Sequence, residues 1–214
     1  MLMTFEGPEG SGKTTQIARA VEYLKSYGLP VVRTREPGGT PIADQIRAIL
    51  LQADNAAITP MTELLLYFAA RAQHVAEVVR PALETGKIVI CDRFADSTWA
   101  YQGYARGLDT ELIERLNEIA TDGLRPDLTL LYDLPIEVGL HRARLRAERL
   151  TDGDREDRFE NEALEFHRKL RTGFLMLAER EPQRFRIIDA DGSVDEVWGR
   201  TKALLDAEVI GRQA

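Results

Sequence analysis

A glycine-rich turn near the start of the chain constrains the fold more than any other feature. Leu2, Met3 and Phe5 make a short apolar run, and GPEGSGKTT follows over residues 7–15. This is G-x-x-x-x-G-K-[ST], with Gly7, Gly12, Lys13 and Thr14 in the fixed places. Glycines let backbone N–H groups turn inward with no Cβ in the way. The helix that follows points its positive end at the same spot. Lys13 adds a point charge for the outer phosphates, and the Thr14 hydroxyl is a candidate Mg²⁺ ligand. A glycine-rich turn that binds nothing needs neither the strand before it nor the helix after it, and both are expected here.

Helices and short apolar runs alternate from there to the end. Strands are expected at residues 2–6, 29–34, 87–92, 128–134 and 186–189. Helices are expected after the loop to Gly28 and at 42–51, 60–84, 97–104, 109–121, 136–149, 160–180 and 194–208. Pro81 permits a kink near the end of the long helix. One domain over residues 1–214, an α/β doubly wound five-stranded parallel sheet flanked by helices, is the architecture this order implies. Ligands then sit at the carboxyl ends of the strands, where residues 7–14, 35–40 and 92–98 lie.

Those loops carry the candidate chemistry. Arg35-Glu36-Pro37-Gly38-Gly39 follows the second strand and Asp92-Arg93-Phe94 follows the third. Lys13, Arg35 and Arg93 are therefore expected to face one cleft, an arrangement suited to a transferring phosphoryl group. Asp92 reads either as a Mg²⁺-binding acid or as a structural partner or cap. Glu36-Pro37 is a candidate cis bond. Tyr67 and Arg71 lie at i and i+4 on the long helix, so ring and cation share a face; the plain alternative is a core ring with an Arg that snorkels. In Asp96-Ser97-Thr98-Trp99-Ala100-Tyr101-Gln102 the Gln102 amide offers a donor and an acceptor to a base edge, while Asp96 or Ser97 could cap a helix.

Six arginines, Arg142, Arg144, Arg146, Arg149, Arg155 and Arg158, lead into and run through the polar, Gly153-bearing stretch at 150–158. That is the profile of a lid over a charged substrate, about 142–160, although any one of these arginines also fits a solvated helix face. His74, His141 and His167 have no metal-ligand spacing. The formal charge is −7, from 28 Lys+Arg against 35 Asp+Glu, so broad nucleic-acid binding is not indicated. The single cysteine, Cys91, allows no intrachain disulfide. No apolar run reaches about 18 residues and no basic-then-apolar leader pattern opens the chain, so a cytoplasmic protein is expected, with no membrane partner.

Taken together, GPEGSGKTT, TREPGGT at 34–40, AAR at 69–71, CDRF at 91–94, DSTWAYQG at 96–103, RPDLTLLYDLP at 125–135 and DRFE at 157–160 resemble the bacterial type of the thymidylate kinase family. The likeness covers most of the chain, in order. It implies a P-loop nucleoside monophosphate kinase with a lid, which transfers the γ-phosphoryl group of ATP to dTMP with Mg²⁺ and forms a homodimer. On that resemblance, Gly7, Pro8, Glu9, Gly10, Ser11, Gly12, Lys13, Thr14 and Thr15 would hold ATP, and Thr14 and Asp92 the metal. Arg93 would bridge the donor and acceptor phosphates. Arg35 would lie near the acceptor phosphate, Glu9 near its sugar, and Arg47 in the same pocket. Tyr67 would stack on the base, with Arg71 and Gln102 reading it and Thr98 and Tyr101 nearby. The family usually has Phe where Tyr67 stands, and Phe68 is its neighbour. The phosphate loop carries Glu9 and no Arg, so the lid would supply a catalytic cation, Arg158 first and Arg149 second. The apolar helix near 61–84 would form the dimer contact. A GTPase switch is disfavoured because Asn55, Asn117 and Asn161 are not followed by Lys, and the clustered arginines favour a monophosphate over an uncharged nucleoside.

Overall fold

Five parallel strands form the centre of a computed structural model that describes residues 1–52, 55, 57–148 and 162–211. They are β1 (Leu2–Glu6), β2 (Val31–Arg35), β3 (Ile88–Asp92), β4 (Leu128–Asp133) and β5 (Phe185–Asp189), in the spatial order β2-β3-β1-β4-β5. The order reverses at β1, which pairs with β3 on one side and β4 on the other. The crevice at the carboxyl ends of β1 and β3 is the binding position such a sheet offers.

β1, β3 and β4 read as apolar runs because both of their faces are covered. On one face, Met3, Phe5, Ile90, Leu130 and Tyr132 pack with Ile17, Val21 and Leu24 of α1 (Lys13–Ser26) and with Val197 and Leu205 of α9 (Val194–Leu205). Each such side chain contributes about 1.5–3 kcal/mol of burial. On the other face, Leu2, Val89 and Cys91 meet Val75, Val79 and Ala82, while Leu131 meets Phe166, Leu170 and Phe174 of α8 (Leu164–Arg180).

The helix starts follow their caps. Thr40 accepts the Ala43 N–H ahead of α2 (Pro41–Leu51), and Thr59 accepts the Thr62 N–H ahead of α3 (Pro60–His74), each with Pro in the first turn. The long helix expected to Glu84 is interrupted. After His74 it passes through a π-helical turn, Val75–Val79, into α4 (Arg80–Glu84). Pro81 explains the turn, since it has no N–H to give and its ring crowds the preceding turn. A similar change follows β3: α5 (Ala95–Thr98) starts two residues before the expected helix and continues as a π-helical turn, Trp99–Ala105. Neither Asp96 nor Ser97 caps it, because both side chains point into buried polar contacts. α6 (Thr110–Thr121) packs on α3, and α7 (Ile136–Ala147) precedes the residues 149–161 that lie outside those described. β2 begins two residues later than expected and ends on Arg35, so that side chain leaves from the strand end itself.

Candidate active site

The turn after β1 packs so tightly that glycine is required for more than donor orientation. A Cβ on Gly7, at φ 138°, would lie 2.3 Å from the Tyr132 carbonyl oxygen of β4. One on Gly10, at φ 71°, would lie 1.9 Å from the Gly139 oxygen of α7. Gly12 caps α1 with no side-chain bond, and the first turn holds no acidic residue. The first amides of α1 and its dipole are thus presented at the crevice without a competing carboxylate.

Lys13 folds back over this turn. Its Nζ donates to the Gly7 oxygen (2.9 Å), the Pro8 oxygen (2.9 Å) and Ser11 Oγ (3.0 Å). Burial, and then the neighbouring Arg93, push its pKa down to about 7. The three acceptors favour the charged ammonium, and an arriving phosphate would favour it more, so anion binding raises this pKa. The sign is therefore proton uptake. ATP binding at pH 8 should take up protons, with a smaller uptake at pH 6, where Lys13 is already charged. Calorimetry in two buffers of different ionisation enthalpy checks this, and uptake that does not grow with pH would contradict it.

Arg93 stands opposite. Its Nη1 donates to the Gly7 oxygen (3.0 Å) and Ser97 Oγ (3.1 Å), and its Nη2 to Glu9 Oε1 (3.1 Å). The guanidinium also lies 5.0 Å from the Tyr101 ring centre, a cation–π contact. The Tyr101 hydroxyl donates to the same Glu9 oxygen. Burial raises the Glu9 pKa, but Arg93, Lys13 and Tyr101 outweigh it and hold the carboxyl below the usual range. Its other oxygen, Oε2, is buried without a hydrogen-bond partner and lies 3.8 Å from His167 Nδ1. Thr14 Oγ1 donates to Asp92 Oδ2 across 3.1 Å, so a hydroxyl and a carboxylate, both hard oxygen donors, meet at the loop.

A second cluster lies beside the first. Arg71, 2 % exposed, donates from Nε to Glu36 Oε2 (2.8 Å) and from Nη2 to Thr98 Oγ1 (2.9 Å), with a longer contact from Nη1 to Asn117 Oδ1 (3.4 Å). His74 Nδ1 meets the other Glu36 oxygen at 2.8 Å. Burial raises the Glu36 pKa, and Arg71 and His74 outweigh it, so the carboxyl is held below its ordinary value. The Glu36–Pro37 bond is cis. Phe68 is buried against Leu64 and Ile113, with the Arg71 guanidinium 5.3 Å from its ring centre, whereas Tyr67 is half-buried and packs with the group that includes Tyr101. Gln102 Nε2 donates to Glu63 Oε1 (2.8 Å), which also accepts from Arg106 Nε (2.8 Å).

The structure thus brings together Lys13, Thr14, Asp92, Arg93, Glu9 and Tyr101, and beside them Arg71 and Thr98. Arg35 is half-exposed and paired with Asp44 of α2 (2.9 Å), and Arg47 Nη1 donates to the Pro37 oxygen (2.9 Å), so both stand on the β2–α2 side of the cleft. Arg142 reaches the Ala190 (3.0 Å) and Gly192 (3.1 Å) oxygens after β5. Arg149, Arg155 and Arg158 lie outside the described residues. Sequence reasoning missed Glu6 and Glu63 and, at the named positions Glu36 and Ser97, their roles as buried acceptors. Glu6 receives the Phe94 N–H at 2.7 Å and the Ser97 hydroxyl at 2.5 Å. Burial, and then Asp96, push its carboxyl up to about 7. Its position at the end of an apolar strand was the available signal, since a carboxylate there must find partners inside the protein.

Comparison with known proteins matches the chain as a whole to a known family. The sequence model described as "Thymidylate kinase" matches residues 5–199. A curated thymidylate kinase of Geotalea uraniireducens is 59% identical over 212 residues, covering 99% of this chain and 97% of the relative. One of Syntrophotalea carbinolica is 60% identical over 198 residues, covering 92% and 91%. The crystal structure of thymidylate kinase from Ehrlichia chaffeensis superposes with a TM-score of 0.75 at 35% identity, covering 96% of this chain and 98% of that one.

Proposed function

This chain belongs to the thymidylate kinase family, and we infer from the geometry of its cleft how it transfers the γ-phosphoryl group of ATP to dTMP. It is an ATP-dependent nucleoside monophosphate kinase whose product, dTDP, leads to dTTP. The observation that carries the reading of the site is the Arg93 guanidinium, held to Gly7 and Glu9 beside Lys13 where the order of the sheet reverses.

Residues 7–15, with the first amides of α1 and the Lys13 charge, hold the ATP phosphates. Arg93 lies between donor and acceptor phosphates and meets the charge that spreads over the transferring oxygens. Thr14 and Asp92 would hold Mg²⁺ together with ATP, and the hard oxygens of that pair suit the ion; when bound, it neutralises phosphate charge. On the acceptor side, Arg35 and Arg47 face the monophosphate, and Glu9 Oε2, which has no hydrogen-bond partner in the protein, suits a sugar hydroxyl. Tyr67 stacks on thymine, because Phe68 is committed to the α3–α6 core. Thr98 and Tyr101 line the same pocket. Arg71, with two of its five N–H donors beyond the three contacts described, and Gln102, through Oε1, meet the base edge.

The lid over about 142–160 belongs to the same domain, residues 1–214, and supplies a further cation, Arg158 before Arg149. Both arginines lie outside the described residues. Ile42 and Ile49 on α2, Met61 and Leu65 on α3, and Ile119 on α6 are all exposed on helices that pack together. They support a homodimer through the α3 region, and a monomer in sedimentation at micromolar concentration would refute it. No helix among the described residues is long and apolar enough to cross a membrane; a cytoplasmic location is the reading that goes with nucleotide substrates.

Tyr67→Ala tests the acceptor pocket. It should raise KM for dTMP about tenfold with kcat changed less, the cost of about one aromatic–base stack. Phe68→Ala should instead lower thermal stability. If Phe68→Ala raised KM and Tyr67→Ala did not, the ring assignment would be reversed.

A further inference from the structure

We propose that Glu6 and Ser97 form a positioning pair that aims the Arg93 guanidinium, an inference that rests on reading Arg93 as the cation bridging the two phosphates. Arg93 is one of two non-glycine residues with positive φ among those described, at 66°. A bulky residue in that region holds its conformation only when its neighbours over-determine it. The end of β1 does so on both sides. The Arg93 N–H donates to the Phe5 oxygen (3.0 Å), and the next N–H, of Phe94, donates to Glu6 Oε1 (2.7 Å).

The second carboxylate oxygen controls the side chain. Ser97 donates its hydroxyl proton to Glu6 Oε2 (2.5 Å) and accepts from Arg93 Nη1 (3.1 Å). A hydroxyl has one proton and two lone pairs. With the proton claimed by the carboxylate, a lone pair is left for the guanidinium. Glu6 and Ser97 are buried, at 0% and 9% exposure, so water does not substitute for either bond. The chain Glu6–Ser97–Arg93 thus fixes both the backbone and the fork of Arg93. Neither Glu6 nor Ser97 touches substrate in this account; both act through Arg93.

Ser97→Ala, Glu6→Gln and the double variant test the pair, with Arg93→Ala measured beside them. Each single variant should lower kcat about tenfold or more, because a misaimed group near the reacting atoms costs rate. KM for dTMP should stay within about twofold. The double variant should be no slower than the worse single one by more than about twofold, since both act in one chain. Thermal melts establish that each variant is folded, and Ser97→Ala, the smaller change, carries the test if Glu6→Gln does not fold. A folded Ser97→Ala enzyme with kcat within twofold of the parent would overturn the proposal, as would single effects that multiply. If Arg93→Ala itself left kcat unchanged, the reading of Arg93 would fail first. If Arg93→Ala abolished turnover and Ser97→Ala did not, the pair alone would fall.

Discussion

Arg93→Ala should lower kcat by about 10²–10³-fold while the affinity for ATP changes far less. The guanidinium is held by Gly7, Glu9 and Ser97 on one side of the cleft and by the Tyr101 ring on its face. It is thus aimed before any substrate arrives, and a preorganised charge needs little reorganisation during the reaction. The alanine removes that charge and also unbalances Glu9, whose carboxyl Arg93 helps hold ionised. Arg93→Lys restores a point charge without the planar fork, so it should recover part of the loss only. Steady-state rates with both substrates saturating separate these outcomes. A kcat within about tenfold of the parent for the alanine variant would remove Arg93 from the transition state.

Glu36→Ala should cost about 3–5 kcal/mol of stability, the largest structural effect expected of a single substitution here. Arg71 is 2 % exposed, and Glu36 is the only carboxylate paired with it among the described residues, so the variant leaves a buried guanidinium unpaired. His74 loses its carboxylate partner at the same time and keeps only the Thr34 hydroxyl, 2.6 Å from Nε2, among its described hydrogen bonds. Thr98 and Asn117 remain as neutral acceptors, and they do not replace a charge. Urea denaturation measures the loss; a change below about 1 kcal/mol would mean that water reaches the pair, as it does at surface ion pairs. The sign with pH follows from the depressed carboxyl pKa. The Glu36 contribution is fully present above the ordinary value of 4.5 and is lost as pH falls through the lower, folded value. The difference in stability between the parent and Glu36→Ala should therefore shrink in acid.

β1, the turn and α1 were legible in the sequence because their signals are local: an apolar run, glycines and a helical period within about 25 residues. The alternation of strands and helices gave the parallel sheet for the same reason, and the residues at its carboxyl edge followed from the topology rule. What remained hidden depends on contacts far apart in the chain. Glu6 meets Phe94 and Ser97 at separations of 88 and 91 residues, Glu36 meets Arg71 at 35, and Gln102 meets Glu63 at 39. A lone carboxylate in a sequence looks like a solvated one until its partner is known. Gln102 and Arg71 accordingly turned out to be tied to the carboxylates of Glu63 and Glu36. The π-helical turns at Val75–Val79 and Trp99–Ala105 escaped for another reason, since the hydrophobic period of a single wide turn differs little from that of an α-helix.

This cleft should move a phosphoryl group from ATP to thymidylate in preference to other monophosphates. A coupled assay of ADP release, with Mg²⁺ and ATP and with dTMP, dUMP, AMP, CMP or GMP as acceptor, tests it most directly. The enzyme should turn over dTMP with a kcat/KM at least about tenfold above dUMP, the worth of one methyl group in a fitted pocket. The purine monophosphates should give little above background. Turnover of dTMP no faster than that of dUMP, AMP, CMP and GMP would contradict it.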